Sequence, residues 1–142
     1  MIFSEDLTRA AHLLDDRILT CALCRGEREY TSRQHGIKPL LSLLDDKTDV
    51  RGFAAADRVV GRGAAFLYLL LGISELYAQV LSQPAAEVLD GGGIRYRCDS
   101  LVPSIRNRAG DGMCPMEQAT LPCRTPEEAL AAIRRRLAEL SR

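Results

Sequence analysis

What this sequence has least of is charge imbalance: 19 basic residues offset 19 acidic ones, for a formal net charge of +0. Nucleic-acid and membrane-surface binding both draw on an excess of positive charge, so the balance removes the main electrostatic argument for either and leaves only a local basic patch. Long hydrophobic runs are also missing. The most apolar stretch, residues 64–73, is about half of the roughly 20 residues that a membrane-spanning helix requires. Residues 1–17 lack the basic start and apolar stretch of a secretory leader and carry Glu5, Asp6, Arg9, Asp15 and Asp16 instead. No fixed-period repeat or low-complexity tract supports a solenoid. Proline is sparse, at 6 residues, while hydrophobic residues make up 46% and charged residues 27%, which excludes a disordered or collagen-like chain. The cysteines number 5, an odd count. Without an export signal they are expected as reduced thiols in a reducing compartment, so the expected location is the cytoplasm.

With 142 residues the chain is long enough to bury about two thirds of the surface its unfolded form exposes. The expected organisation is one α/β domain over residues 1–122, with residues 123–142 as a C-terminal helix packed on it or extending from it. Ser4 is placed to cap a helix whose apolar positions Leu7, Ala10, Ala11 and Leu14 line one face, ending near Asp16. Residues 18–24 and 29–32 read as a hairpin around Arg25-Gly26-Glu27. Ile37, Leu40, Leu41 and Leu44 restore helical spacing, with Pro39 tolerated in the first turn. Residues 52–56 read as a buried strand and residues 61–72 as a helix apolar nearly all round. A strand over residues 75–81, a short helix from Ser82 and Pro84 to the glycines at 91–93, and a strand over residues 94–98 follow. The chain then reads as loop through Cys123, before Thr125-Pro126-Glu127-Glu128 opens a final helix as a capping box. Strands separated by single helices usually lie parallel, so the expected architecture is a three-layer α/β/α sandwich with a mixed sheet of about five strands.

Ligands in open α/β sheets bind outside the carboxyl ends of the strands, which directs attention to two strand-to-helix turns. These are residues 32–38 and residues 57–63. At the second turn no Ser, Thr, Asp or Asn immediately precedes the helix, and Gly61 and Gly63 leave the backbone accessible. Its first N–H groups are therefore candidates to hold an anion, with Arg33, Lys38, Arg58 and Arg62 adding positive charge at the same edge. The competing reading is that water satisfies the helix end, Gly63 permits close packing and the arginines are surface residues. Asp57 ends an otherwise apolar strand, where a carboxylate can orient a hydroxyl, hold a proton or bond to its own turn. His35 precedes a helix at the same edge and is a candidate base or ligand. Residues 105–117 form a polar, glycine-punctuated segment in which Cys114, near Arg106 and Arg108, is a candidate thiolate and Glu117 a further candidate carboxylate. Cys21 and Cys24 have the spacing of half a zinc site, but residues three apart on a strand point to opposite faces. No metal site is expected from them.

Three runs together resemble a known family: Tyr30-Thr31-Ser32-Arg33 followed by Gly36-Ile37-Lys38-Pro39-Leu40, then residues 56–65 around Asp57-Arg58-Val59-Val60-Gly61, then Asn107-Arg108 leading to Gly112-Met113-Cys114-Pro115-Met116-Glu117. They look like the uncharacterised prokaryotic domain-of-unknown-function family with a cytidine-deaminase-like fold. The resemblance implies a helix, a hairpin and alternating strands and helices around a mixed sheet. Active cytidine deaminases bring His-x-Glu and Pro-Cys-x-x-Cys to two helix starts to bind zinc. Here His35 is followed by Gly36 and Ile37, and Val60-Gly61-Arg62-Gly63 stands where the cysteines should be.

The functional expectation is therefore a nucleotide or similar phosphate-bearing small molecule, held at helix N-termini by Arg33, Lys38, Asp57, Gly61, Arg62 and Gly63 without zinc-dependent deamination or other cofactor. The alternatives are an enzyme of unassigned class using Asp57, Cys114 or Glu117, and a protein-interaction module. A homo-oligomer is compatible with either; nucleic acid and membrane are not expected partners.

Overall fold

The structure is a computed structural model that describes residues 3–16 and 18–141. Helix α1 (Glu5–Asp16) leads into the hairpin β1 (Cys21–Arg25) and β2 (Arg28–Ser32), followed by α2 (Lys38–Asp45), β3 (Ala54–Val60), α3 (Arg62–Leu71), β4 (Glu75–Ser82), α4 (Gln83–Gly92) and β5 (Arg95–Val102). Two helices close the chain, α5 (Pro115–Thr120) and α6 (Pro126–Leu140). The five strands form one sheet in the order β2-β1-β3-β4-β5. β1 is antiparallel to both neighbours, whereas β3, β4 and β5 run parallel. Mixed pairing follows from the connections: a two-residue hairpin turn, with Gly26 at φ +59°, can only join antiparallel strands, and single-helix crossovers join parallel ones.

Helices cover both faces. On one face α1 sets Leu7, Ala10, Ala11 and Leu14 against Ala22, Cys24, Ala54, Ala56 and Tyr77. Small strand residues there let the helix approach closely. Ser4 accepts from the Leu7 N–H at 3.2 Å, so it caps α1 as its sequence position predicts, and its own N–H donates to Glu75 on β4 at 3.1 Å. The opposite face carries the larger core, in which α3 lies central: Ala65, Leu67 and Tyr68 are fully buried among Leu40 of α2, Leu89 of α4 and Ile133 of α6. A helix surrounded in this way has no polar face to spare, which explains its nearly continuous apolar sequence. Ala129, Ala132 and Ile133 of α6 belong to this same core. Thr125 caps α6, accepting from the Glu128 N–H at 3.1 Å.

Four boundaries differ from the sequence reading. β1 begins at Cys21 rather than at residue 18, and Ile18 is exposed. β3 runs on to Val60, so residues 57–60 are strand and the turn contracts to Gly61; Asp57, Val59 and Val60 find partners in Ala78, Val80 and Leu81 of β4. β5 likewise extends to Val102 because β4 offers it pairing partners up to Ser82. The segment read as loop contains α5, whose 6 residues are too few to show a helical period.

Candidate functional site

At the carboxyl ends of β2 and β3, the starts of α2 and α3 and the chain leading into α5 enclose a cavity of about 450 Å³. That size suits a small organic ligand. Its walls are mostly apolar, with Leu19, Ile37, Val59, Ala64, Ile105 and Met116 contributing from different elements. Thr20, Arg33, His35, Asp57, Arg58 and Glu117 also line it. Asp57 lies in its wall at 7% exposure, whereas Arg33 and His35 line it from exposed positions. A smaller hollow of about 380 Å³, bounded by His35, Gly36, Lys38 and Arg108, adjoins it through His35 and Gly36. The rim on that side is basic.

Asp57 is held by donors on its protein side. The Tyr68 hydroxyl donates to Oδ2 at 2.7 Å, and the nearby backbone N–H groups of Val59 and Arg58, the latter donating to Thr20 O at 3.3 Å, favour the charged carboxyl. Behind Tyr68, the Cys21 Sγ lies 3.5 Å from the hydroxyl oxygen. Burial penalises the charged form, outweighs these hydrogen bonds and the Arg58 charge, and pushes the Asp57 carboxyl up to about 6. Burial and the neighbouring Asp57 charge likewise raise Tyr68 and Cys21 above their ordinary values. The result is a buried chain, cysteine to tyrosine to aspartate, that ends at the cavity.

Glu117 has a different role from the one its sequence context suggests. It is 1% exposed. Its Oε1 accepts from the Arg62 N–H at 2.9 Å and from the Ser82 hydroxyl at 2.7 Å, while Oε2 accepts from the Ile105 N–H at 2.8 Å. The helix start expected to be uncapped is therefore capped, by a carboxylate supplied from 55 residues away. This corrects the anion-cradle assignment at Gly61: a phosphate placed there would meet a carboxylate already bonded to the first N–H of α3. Gly61 and Gly63 serve close packing instead. A Cβ on Gly61 would stand 3.1 Å from Glu117 Oε2 and from Ile105 Cγ1, and one on Gly63 would stand 3.3 Å from Ile133 Cδ1.

Arg62 also leaves the expected ligand set, and Arg58, expected only to add positive charge at this edge, is engaged elsewhere. Arg62 turns away from the cavity: Nε donates to Thr120 O at 2.9 Å, Nη1 to Pro84 O at 3.3 Å and Nη2 to Cys123 O at 2.7 Å, with the guanidinium 5.1 Å from the Phe66 ring centre. It neutralises the carbonyl ends around α5. Arg58 touches the cavity but extends toward α1, donating to Leu19 O at 2.6 Å, Leu14 O at 2.8 Å and Gln79 Oε1 at 3.2 Å. It fastens the Leu19 wall. Of the sequence candidates, Arg33, Asp57, Cys114, Glu117, Gly61 and Gly63 meet at the cavity, and Lys38 stands at its basic rim.

Cys114 precedes α5 and is half-buried; its N–H donates to Ile105 O at 2.8 Å. The tertiary fold brings His35 to the same cavity, a neighbour that the sequence does not reveal. Cys21 and Cys24 lie on opposite faces of β1, one in each core. Among the described residues no three His, Cys, Asp or Glu side chains are grouped to hold a metal ion. Tyr68 is the site residue that sequence reasoning missed. Its only signal was a lone hydroxyl within an otherwise apolar helix, which demands a buried partner.

Residues 9–137 match the family described as domain of unknown function DUF1893, and the chain belongs to that family. A solved structure of a DUF1893 family protein from Thermotoga maritima is similar over 94% of this chain and 92% of that one, at 25% identity and a TM-score of 0.84. No curated protein matches the chain. Among the described residues no helix is long and apolar enough to cross a membrane.

Proposed function

We propose that this DUF1893 protein binds a small, ring-containing, phosphate-bearing molecule of nucleotide type, with the ring in the apolar cavity and the phosphate at the basic rim. One observation carries this reading: the buried carboxyls of Asp57 and Glu117 and the Arg58 guanidinium line the cavity with their hydrogen bonds directed into the protein, while Arg33 and, alongside, Lys38 and Arg108 gather exposed positive charge beside His35 at one margin. A flat apolar body suits the walls, and an anion suits the margin. The phosphate position thus moves from Gly61 and Arg62 to Arg33 and Lys38, beside the start of α2, where Ile37 supplies no side-chain cap. Zinc-dependent deamination is outside this reading, because the two helix starts offer no ligand set and no proton-shuttling glutamate. The cytidine-deaminase-like fold suggested by the sequence motifs is kept as part of the same proposal, supported by the initial helix, the hairpin and the mixed five-stranded sheet.

The experiment is calorimetric titration with nucleoside monophosphates and the corresponding nucleosides. Phosphate-bearing members should bind more tightly than their nucleosides, and Arg33→Ala with Lys38→Ala should remove that advantage. Failure of every nucleotide to bind, or an affinity unchanged by the double substitution, would overturn the proposal.

A second reading, an enzyme of unassigned class, is favoured by Asp57 alone: a buried carboxyl raised to about 6 stands where a general acid or base works near neutral pH. Glu117 does not share that role, since both its oxygens are engaged in holding elements together. The interaction-module reading has less support, because Leu7, Ala10, Ala11 and Leu14 of α1 and Ala129, Ala132 and Ile133 of α6 turn inward, leaving Leu140 as the exposed large apolar residue on α6.

A further inference from the structure

Two carboxyl groups line the cavity, and their hydrogen bonding makes them unequal. Glu117 Oε1 serves two donors and Oε2 a third, all from the protein, on the side where Arg62, Ser82 and Ile105 converge. Asp57 Oδ2 accepts from the Tyr68 hydroxyl, and the N–H groups of Arg58 and Val59 favour its charged form, whereas a carboxylate offers roughly four lone-pair sites. Acceptor capacity remains. Of the polar side chains that line the cavity beside Leu19, Ile37, Val59 and Ala64, the Thr20 hydroxyl donates to Ser32 O and Gln34 O, and Arg58 donates to Leu14 O, Leu19 O and Gln79. An ionised Asp57 can only accept, so the Tyr68 hydroxyl donates to it and the thiol of Cys21 behind is left to donate to the tyrosine oxygen.

We propose that Asp57 is the specificity-determining residue of the cavity and selects a heterocycle carrying an amino group on its inner edge over the same ring without one. The proposal rests on the reading of the cavity as a nucleotide-type site and adds which rings that site accepts. A ring amino group completes the carboxylate's hydrogen bonding. A ring lacking it leaves a carboxylate oxygen facing carbon, since the Thr20 hydroxyl and the Arg58 guanidinium, the donors nearest in sequence and strand register, are engaged with backbone oxygens and Gln79. A hydrogen bond to a charged group is worth enough to give roughly a tenfold or greater difference in affinity.

Selection of this kind depends on the ionised carboxylate, so it depends on pH. The groups around Asp57 are Tyr68 from α3, Cys21 from β1, Arg58 beside it on β3, Glu117 and Cys114 from the α5 side, and Arg33 and His35 from the segment before α2. Tyr68 and Cys21 are raised and stay neutral across the physiological range. Arg58 favours the ionised Asp57 and stays charged. Discrimination should therefore be full above the Asp57 transition and fade below it.

The test uses three pairs of nucleoside monophosphates that differ only by the amino group: guanosine and inosine, adenosine and purine riboside, cytidine and its 4-deamino pyrimidinone. Titration calorimetry at pH 7.5 should show the amino member of at least one pair bound roughly tenfold or more tightly, with the gap narrowing at pH 5. Asp57→Asn keeps the shape and an acceptor for Tyr68, and should bring that pair to within about threefold, with folding of the variant checked by urea denaturation. Every binding pair lying within about threefold in the unsubstituted protein would overturn the proposal while leaving the cavity reading intact. Absence of binding by every pair would overturn both. Discrimination that survives in Asp57→Asn would assign it to another residue and also overturn the proposal.

Discussion

Replacing Glu117 by glutamine tests the central structural claim, that one buried carboxylate joins α3, β4, α5 and the chain around Ile105. The amide keeps a single carbonyl acceptor. If that oxygen serves the Arg62 N–H and the Ser82 hydroxyl, now 2.9 and 2.7 Å from Oε1, the amide NH₂ must face the Ile105 N–H, donor against donor. The Ile105 bond, 2.8 Å long, is lost and its N–H is left without an acceptor, a change worth about 1–3 kcal/mol. Loss of the negative charge at the start of α3 removes up to about 2 kcal/mol more. Relief from burying a charge returns part of this. The expected net loss is about 2–4 kcal/mol, a large fraction of the roughly 5–15 kcal/mol that stabilises a domain of this kind. Equilibrium urea denaturation reads it as a lower midpoint with an unchanged slope. Pairing the substitution with Ser82→Ala should give a combined loss that departs from the sum of the two, since Ser82 shares the Oε1 acceptor whose orientation the glutamine must keep. A Glu117→Gln variant within about 0.5 kcal/mol of the original protein would refute the clamp.

Two further predictions follow from burial. The Asp57 carboxyl titrates near 6 in the native state against an ordinary 3.8, so between those pH values the native state keeps a proton that the unfolded chain has lost. Its contribution to stability is full at low pH, falls by about 3 kcal/mol as pH rises toward 6 and is level above it. The difference in unfolding free energy between the original protein and Asp57→Asn should trace that fall between pH 4 and 8; a constant difference would show that Asp57 titrates normally. For the thiols, Cys98 and Cys114 are partly exposed, while Cys21, Cys24 and Cys123 are buried, and burial raises all three above the ordinary thiol value. A chromogenic disulfide reagent should therefore label two thiols rapidly in the native protein and all 5 after unfolding, with Cys114→Ser removing one fast thiol; rapid labelling of three or more would contradict the burial of Cys21, Cys24 or Cys123.

Much of the fold was legible because its signals are local. Leu7, Ala10, Ala11 and Leu14 announce a one-sided helix, Thr125-Pro126-Glu127-Glu128 announces a helix start, and both are found where those residues stand. The site was legible in location more than in wiring. Asp57, Arg33, Cys114 and Glu117 meet at one cavity as expected of residues at a sheet's carboxyl edge. Reading residues 57–60 as a turn failed because strand length at that end depends on what the neighbouring strand offers, and β4 continues to Ser82. The cap of α3 was invisible for a similar reason: residues adjacent to Gly61 provide none, and nothing local says that Glu117 will arrive there.

The sequence by itself determined the alternation of strands and helices and the faces each must bury, because periodicity, caps and turn residues act over a few positions of chain. It also set the balance of charge and the stock of groups available for chemistry. Only the tertiary structure decided how those groups are used: that Arg62 neutralises carbonyls around α5, that Glu117 closes the helix start proposed for an anion, and that Tyr68 holds Asp57 at the cavity. Side chains such as these find their partners through the path of the whole chain, and a hydrogen bond between distant residues leaves no periodic trace in either partner's neighbourhood.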